Sequence, residues 1–563
     1  MASKRQTSTS YTAASTSYQL YTNTYDNTTT TSRSRTRKRG NGRPATARPR
    51  TSASTFGIEN QQIICAVNES RGISPTVGLA FVNLDTGEAV LSQICDSQTY
   101  VRTIHKLMVY SPSQILIVST AASPKSKLFA IIEEQLETLQ SGIVLLDRSY
   151  WAETTGLEYI QQLAFAEDVE AIKISIGGNY FAVCCIAAAI KFVERGLSKT
   201  FPLHALRIKY EPSEGSMMID VSTICSLELI QNLQNPKSRD CLFGLLNETL
   251  TPMGSRLLRS NILQPLTDLE TLDTRYDALE ELATKEEMFF ATRQALKASL
   301  DVDRILTQLI VIPTQPTLAC VEQAINNVIM LKQFVASIEP LFEALSGARC
   351  AMLEEIRQLC APENVEPVQE LIDGVINEDT TYASQPLDLR NQRTYASGVN
   401  GLLDVARQTY KEAMTDAYQH IAELGETKFD NPRQFYIRLP ASELAERPLP
   451  PMFINVYRKK NWVECQTLDL AKRNQKIVDS HTEVLLMSDK AVQELIGDIR
   501  GQISILFKIC EGIAMLDMIC AFAQLVTSQE YVRPQLTDTL AIKAGRHPVR
   551  EKIHTTKFVP NDV

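Results

Sequence analysis

Two long stretches with helical periodicity enclose a short segment that reads as β-structure, and this arrangement restricts the fold more than any other feature. The first is "GVNGLLDVARQTYKEAMTDAYQHIAEL" (398–424) and the second "SDKAVQELIGDIRGQISILFKICEGIAMLDMICAFAQLV" (488–526). Between them lie strand-like "RQFYIRLP" (433–440), the Pro-rich turn "RPLPP" (447–451), and "MFINVYRKKNWVECQTLDLAKRNQKI" (452–477). Apolar residues at helical spacing form one stripe per helix, whereas β-branched and aromatic alternation suits strands. A chain that leaves one helix, builds strands and returns along another holds its small β-rich insert at the ends of two long helices.

The same helical pattern governs residues from roughly 216 onward. In "LFGLLNETLTPMGSRLLRSNILQPLTDLETLDTRYDALEEL" (242–282), Leu242, Leu245 and Leu246, then Leu257, Leu258, Ile262 and Leu263, make one apolar stripe per helix. Thr251 followed by Pro252 predicts an N-cap with proline in the first turn. Periodicity alone defines only a helix pair. Ahead of it, "QIICAVNES" and "TVGLAFVNLDTGEAVLSQI" alternate as strands, with "DTGE" (85–88) as a hairpin turn. Further strands and a helix around 126–139 then predict an α/β domain ending near 195. Its last run, "YFAVCCIAAAI" (180–190), has the length of either a strand or a core helix, and the longer "YFAVCCIAAAIKFVERG" reads as helix-like.

Composition excludes several classes. No run of 18 uncharged apolar residues occurs, and no apolar h-region opens the chain, so neither a membrane span nor secretion is expected. Twelve cysteines without one Cys-x-x-Cys, and only six histidines, argue against a disulfide framework or zinc site. Charge is segregated. Residues 1–55 hold ten Lys/Arg and one Asp, so with a total of −8 the remainder carries −17. That first segment is rich in Ser, Thr, Arg and Gly and too poor in aliphatics to offset chain entropy; a disordered tail is expected. Its "RSRTRKRGNGR" (33–43) suits a nuclear import signal, a weak nucleic-acid contact or simply a solvated basic tail.

Two clusters bear on chemistry. "YRKKNW" (457–462) puts three cations between two aromatics, a composition that suits phosphate contact and equally a solvated turn. Glu69, Asp85 and Glu88 suggest a metal site of the ribonuclease-H type, but Glu88 follows a tight turn, where exposed acids are common.

The 242–282 stretch resembles the core of the MutS homologues. The resemblance continues through "LRIKYEPSEGSMMIDVSTICSLELIQNL" (206–233) and "FINVYRKKNWVECQTLDLAKRNQKI" to "TLAIKAGRHPVREKIHTTKFVPNDV", covering about 58–563 in order. It implies a multidomain α and α/β fold. A basic tail (1–55) would precede a ribonuclease-H-like connector (56–195), then a helical core with the first lever helix (196–425). A DNA-gripping clamp (426–478), returning lever helices (479–535) and the start of an ATPase domain (536–563) would follow. Mismatch readers of the family carry a Phe-x-Glu wedge ahead of the connector. Here the two such triplets, Phe165–Glu167 and Phe192–Glu194, fall inside it, and with about one expected by chance they are assigned no function. "INEDTTYASQPLDLRNQRTYASGVNGLLDVARQTY" (376–410) is similar to the meiotic branch of the family. That branch implies binding of branched recombination intermediates in the nucleus, as a heterodimer with MutS homolog 5, to promote crossovers. The alternatives are a mismatch-repair homologue lacking its first domain, a structural partner-binding scaffold, or a connector-based nuclease.

The resemblance also implies site residues. In the clamp, Arg458, Lys459, Lys460, Asn461, Lys472 and Arg473 are candidates for phosphate, none for reading base edges. The bacterial clamp pattern has Lys-Asn after Thr-Leu, whereas this chain has Asp469-Leu470 after Thr467-Leu468. An intact family member would bind ATP and magnesium and hydrolyse ATP. The loop for that nucleotide, Gly-x-x-x-x-Gly-Lys-Ser/Thr, has no counterpart in this sequence, which contains no Gly-Lys pair. What matches is the adenine shelf, Phe558 with Val559 and Asn561. No catalysis, and an exposed, poorly ordered stretch from about 543, are expected of this chain.

Overall fold

The computed structural model describes residues 61–70, 72, 74–212, 215–376, 401–422, 427–430, 434–440, 450–529, 531–553 and 558–563. The basic tail, with 33–43, and residues 377–400 of the meiotic-like stretch lie outside them. The chain divides into two units, residues 1–284 with 514–563 and residues 285–513.

In the first unit, near-continuous apolar runs become strands buried on both faces, as a sheet covered by helices on each side requires. The strands are β1 (Ile63–Glu69), β2 (Thr76–Asn83), β3 (Glu88–Cys95), β4 (Gln114–Val118), β5 (Gly142–Leu146) and β6 (Arg207–Tyr210), in the order β5-β4-β1-β2-β3-β6. β1, β2 and β3 form an antiparallel meander; β4 and β5 run parallel beside β1, and β6 parallel beside β3. The sheet thus takes its last strand from beyond 195, since Arg207–Tyr210 pairs parallel with β3 after helix Tyr180–Gly196.

Alternate residues of β1 feed different cores. Ile64 and Ala66 pack with helix Tyr180–Gly196, while Ile63, Cys65 and Val67 pack with helices Val101–Tyr110 and Lys127–Leu139. The 180–190 run is helix, as its longer helix-like stretch suggests. Its Ala and Cys residues let its backbone lie on the sheet so closely that a Cβ on Gly78 would meet the Phe181 carbonyl carbon at 2.3 Å.

The turn before helix Pro252–Leu263 is held by a buried acid. Asp517, fully buried, accepts from the Leu250 and Thr251 amides and from Thr251 Oγ1, the last two at 2.7 Å. Thr251 Oγ1 in turn accepts from Gly254 N at 3.0 Å, which makes it the predicted N-cap. The carboxylate occupies the positive end of the helix, where unpaired amides favour an anion.

Arg259 of this helix donates to the Val109 carbonyl at 2.9 Å, satisfying the last turn of helix Val101–Tyr110. On helix Leu269–Thr284, Asp273, Asp277 and Glu280 surround Arg533, whose guanidinium lies over the Tyr276 ring.

The second unit is built on helices. Gly401–Ala422 and Leu468–Arg500 run antiparallel, as the pairs Asp416–Arg473 and Tyr410–His481 show. Leu470, Asn474, Ile477, Ser480, Val484, Ser488, Val492, Leu495 and Ile499 form its buried stripe, spaced by threes and fours. Helix Leu468–Arg500 starts directly after a strand, inside the 426–478 stretch expected for the clamp. Thr467 caps it, accepting from Leu470 N at 3.1 Å, and Asp469 adds a favourable charge in the first turn. A second long helix follows at Ile503–Gln529 after a break at Gly501 and Gln502.

The fold is mixed α/β and mostly helical, with a separate small antiparallel sheet, as expected. Among the described residues no helix is long and apolar enough to cross a membrane.

Candidate nucleic-acid interface

Four strands form the small sheet: β7 (Thr427–Asp430), β8 (Gln434–Pro440), β9 (Phe453–Arg458) and β10 (Trp462–Thr467), in the order β9-β10-β8-β7, all antiparallel. One polar side chain ties it to helix Leu468–Arg500. Asn474, buried, donates to the Phe435 carbonyl at 2.8 Å and accepts from the Phe435 amide at 3.2 Å. An amide side chain thus acts as a further peptide beside β8. Gln466 Nε2 also donates to the Phe435 carbonyl, at 3.0 Å, and Tyr418 of the other helix meets the Phe435 ring edge-on. Burial pushes the Cys465 thiol up, so this cysteine is held as an unreactive core residue.

β9 is an edge strand and is mostly exposed; Tyr457 is 68% accessible. Its pairing slips between Ile454 and Tyr457, where Asn455 takes a left-handed φ of 53° and donates to Gln466 Oε1. Such a bulge bends and twists the strand and re-aims the side chains beyond it. Beyond it come Arg458, the last residue of β9, and Lys459, Lys460 and Asn461 of the turn joining β9 to β10, all exposed. Lys459 N donates to the Trp462 carbonyl at 2.8 Å and closes that turn.

The structure brings these four together at one tip and sets the other two candidates on helix Leu468–Arg500. Lys472 is exposed. Arg473 has its Nε 3.1 Å from Asp416 Oδ2, bridging the two antiparallel helices. Lys459 Nζ lies 2.8 Å from the carboxylate of Glu464, which sequence reasoning passed over because one acid among cations carries no visible partner. Arg438 reaches the same carboxylate at 3.1 Å. Among the described residues Arg458, Lys460 and Lys472 make no ion pair.

The other candidates are dispersed. Phe165 and Phe192 are both buried in the connector core, so neither phenyl ring is available as a wedge. Glu88 lies 3.6 Å from Lys209 and 3.9 Å from Arg207, while Asp85 accepts from Gln62 N at 2.6 Å. No group of three metal-ligating residues occurs among the described residues.

Around the residues expected to form an adenine shelf the chain carries a helix at Pro548–Ile553 and a paired bridge between Gly545 and Asn561, so this stretch is exposed but has local order. Phe558 is half-buried, and Val559 and Asn561 are exposed. The sequence has no phosphate-cradling Gly-Lys loop. These residues do not fit a complete ATP and magnesium site.

This architecture has a match among known families. The family model for MutS domain II matches residues 62–205, and that for MutS domain III matches residues 222–523. The chain belongs to the MutS family. It is 35% identical to MutS protein homolog 4 of Homo sapiens over 92% of this chain and 57% of that protein. Against MutS protein homolog 4 of Saccharomyces cerevisiae it is 35% identical, over 92% of this chain and 61% of that protein. The DNA mismatch repair protein MutS of Caldicellulosiruptor bescii is 26% identical over 89% of this chain and 54% of that protein. The chain is thus of the homolog 4 type and spans rather over half the length of these relatives.

Proposed function

We propose that this chain is the DNA-gripping part of a meiotic MutS homologue. It holds branched recombination intermediates in the nucleus as a heterodimer with MutS homolog 5, to promote crossovers. The observation that carries the reading is the hairpin tip: Arg458, Lys460 and Asn461 stand exposed on a sheet anchored through the buried Asn474. Long cations on an exposed turn suit phosphate oxygens, which position a protein on DNA without reading sequence. Lys472 is also exposed, but on the helix that leaves the end of β10 away from the tip, where Asp469 in its first turn disfavours phosphate.

A body of −17 repels DNA at long range, so a grip of this kind is local and sensitive to salt. The test compares the affinity of the chain for a four-way junction, a single mismatch and homoduplex at one salt concentration. Preference for the junction is expected. Equal or mismatch-favoured binding supports a mismatch-repair homologue, and capture of the partner without any DNA shift supports a scaffold.

A further inference from the structure

The hairpin tip contains a buried carboxylate that has two cations among its partners. The Glu464 side chain is 2% exposed, and Lys459 Nζ lies 2.8 Å from both of its oxygens. Arg438 Nη2 is 3.1 Å from Oε1, from the residue directly opposite Glu464 on β8. The Arg438 guanidinium also lies over the Trp462 ring, at 5.7 Å from its centre. One buried charge therefore ties a cation of the turn to a cation of the neighbouring strand.

Burial makes this arrangement costly to undo. A carboxylate out of water stays ionised only with close partners, and removing one leaves an uncompensated charge. Lys459 is about half exposed, but its ammonium is engaged by an acid that has little access to water. Arg458 and Lys460, on either side of it in sequence, are exposed and make no ion pair among the described residues. Three successive cations thus divide into one that holds the turn and two that face solvent.

The geometry points to Glu464 as an internal counter-ion that sets how many charges the hairpin offers to DNA. Lys459 is a positioning residue of the tip, and phosphate is met by Arg458 and Lys460. This rests on the reading of the hairpin as a DNA contact and deepens it.

The experiment is a salt titration of homoduplex binding by the full 563-residue chain, followed by fluorescence anisotropy between about 50 and 200 mM salt. Lys460→Met is expected to lower the slope of log affinity against log salt by about 0.9, and Lys459→Met to leave it unchanged. Glu464→Gln releases Lys459 and is expected to raise the slope by about 0.9, an additional loss of about 3.5-fold across that range. A Lys459→Met slope matching that of Lys460→Met overturns the inference, as does an unchanged slope for a folded Glu464→Gln. Should Glu464→Gln fail to fold by circular dichroism, the two lysine variants decide the matter alone. If Arg458→Met, Lys460→Met and the parent chain share one slope, the hairpin is not the DNA contact and both readings fall. That outcome is distinct from Lys459 and Lys460 behaving alike with reduced slopes.

Discussion

Gly254 shows how one position can be dictated by a residue far away in sequence. A Cβ there would stand 2.4 Å from Asp517 Oδ2, an overlap that only movement of the carboxylate relieves. That movement would break its bonds to Thr251 and Leu250. Gly254→Ala is expected to lower stability by about 1–3 kcal/mol in urea unfolding, as overpacking does. Asp517→Ala, which leaves buried amides unmet, should cost about 2–4 kcal/mol. Equal stability of Gly254→Ala and the parent would contradict the packing. His105 supplies a second test. Burial pushes its imidazole below the usual histidine value of 6.5, and the adjacent Lys106 adds to this, against a hydrogen bond to the Leu263 backbone and the field of Asp220. The unfolded chain then binds the proton more readily than the folded one. The folded chain keeps this contribution in full above pH 6.5 and loses it as pH falls from there toward the lowered folded value. Unfolding midpoints measured from pH 7.5 down to 5.5 should decline less steeply in His105→Leu. The turn's Thr-Pro cap was legible in sequence because capping is local; Asp517 was not, since nothing local marks an acid that will be buried.

At the scale of elements, the small sheet is only as rigid as its attachment. Asn474 closes both hydrogen-bonding groups of the Phe435 peptide, a role a backbone strand would otherwise fill. Asn474→Ala should leave helical circular dichroism unchanged while amide exchange across 434–440 speeds up by about 10–100-fold. Unaltered exchange would mean that packing of Phe435 against Tyr418 suffices. β8 was legible from alternation and β7 was not, its four residues being too few to show a period, while the returning helix was legible from its stripe. Its start was not. "TLDL" reads as well as the end of an insert as it does as an N-cap, and what decides is that Leu470 is buried while Asp469 is exposed. The bulge at Asn455 was equally hidden, since it depends on the partner strand.

For the whole molecule, charge separation is the dominant property: a basic segment of +9 precedes a body of −17. If residues 33–43 act by charge as an import signal, deleting them should leave a fluorescent fusion in the cytoplasm while DNA affinity falls little. Nuclear retention of the deletion variant would count against that role. The mixed α/β class and the presence of an α/β domain ahead of a helical one were both legible, because periodicities of two and 3.6 residues report which face of each element is buried. The sheet's sixth strand at Arg207–Tyr210 was missed, since its four residues are too few for a period to register.

What the sequence determined alone was therefore whatever depends on near neighbours: element type, the Thr251 cap, the charge segregation and the family to which the motifs point. Tertiary structure decided what depends on distant partners. It paired Lys459 with Glu464 and Arg473 with Asp416, left Arg458 and Lys460 to solvent, and buried Phe165 and Phe192. The physical reason is that a cation's availability is set by the charges within a few ångströms, and those come from strands and helices that only folding brings together.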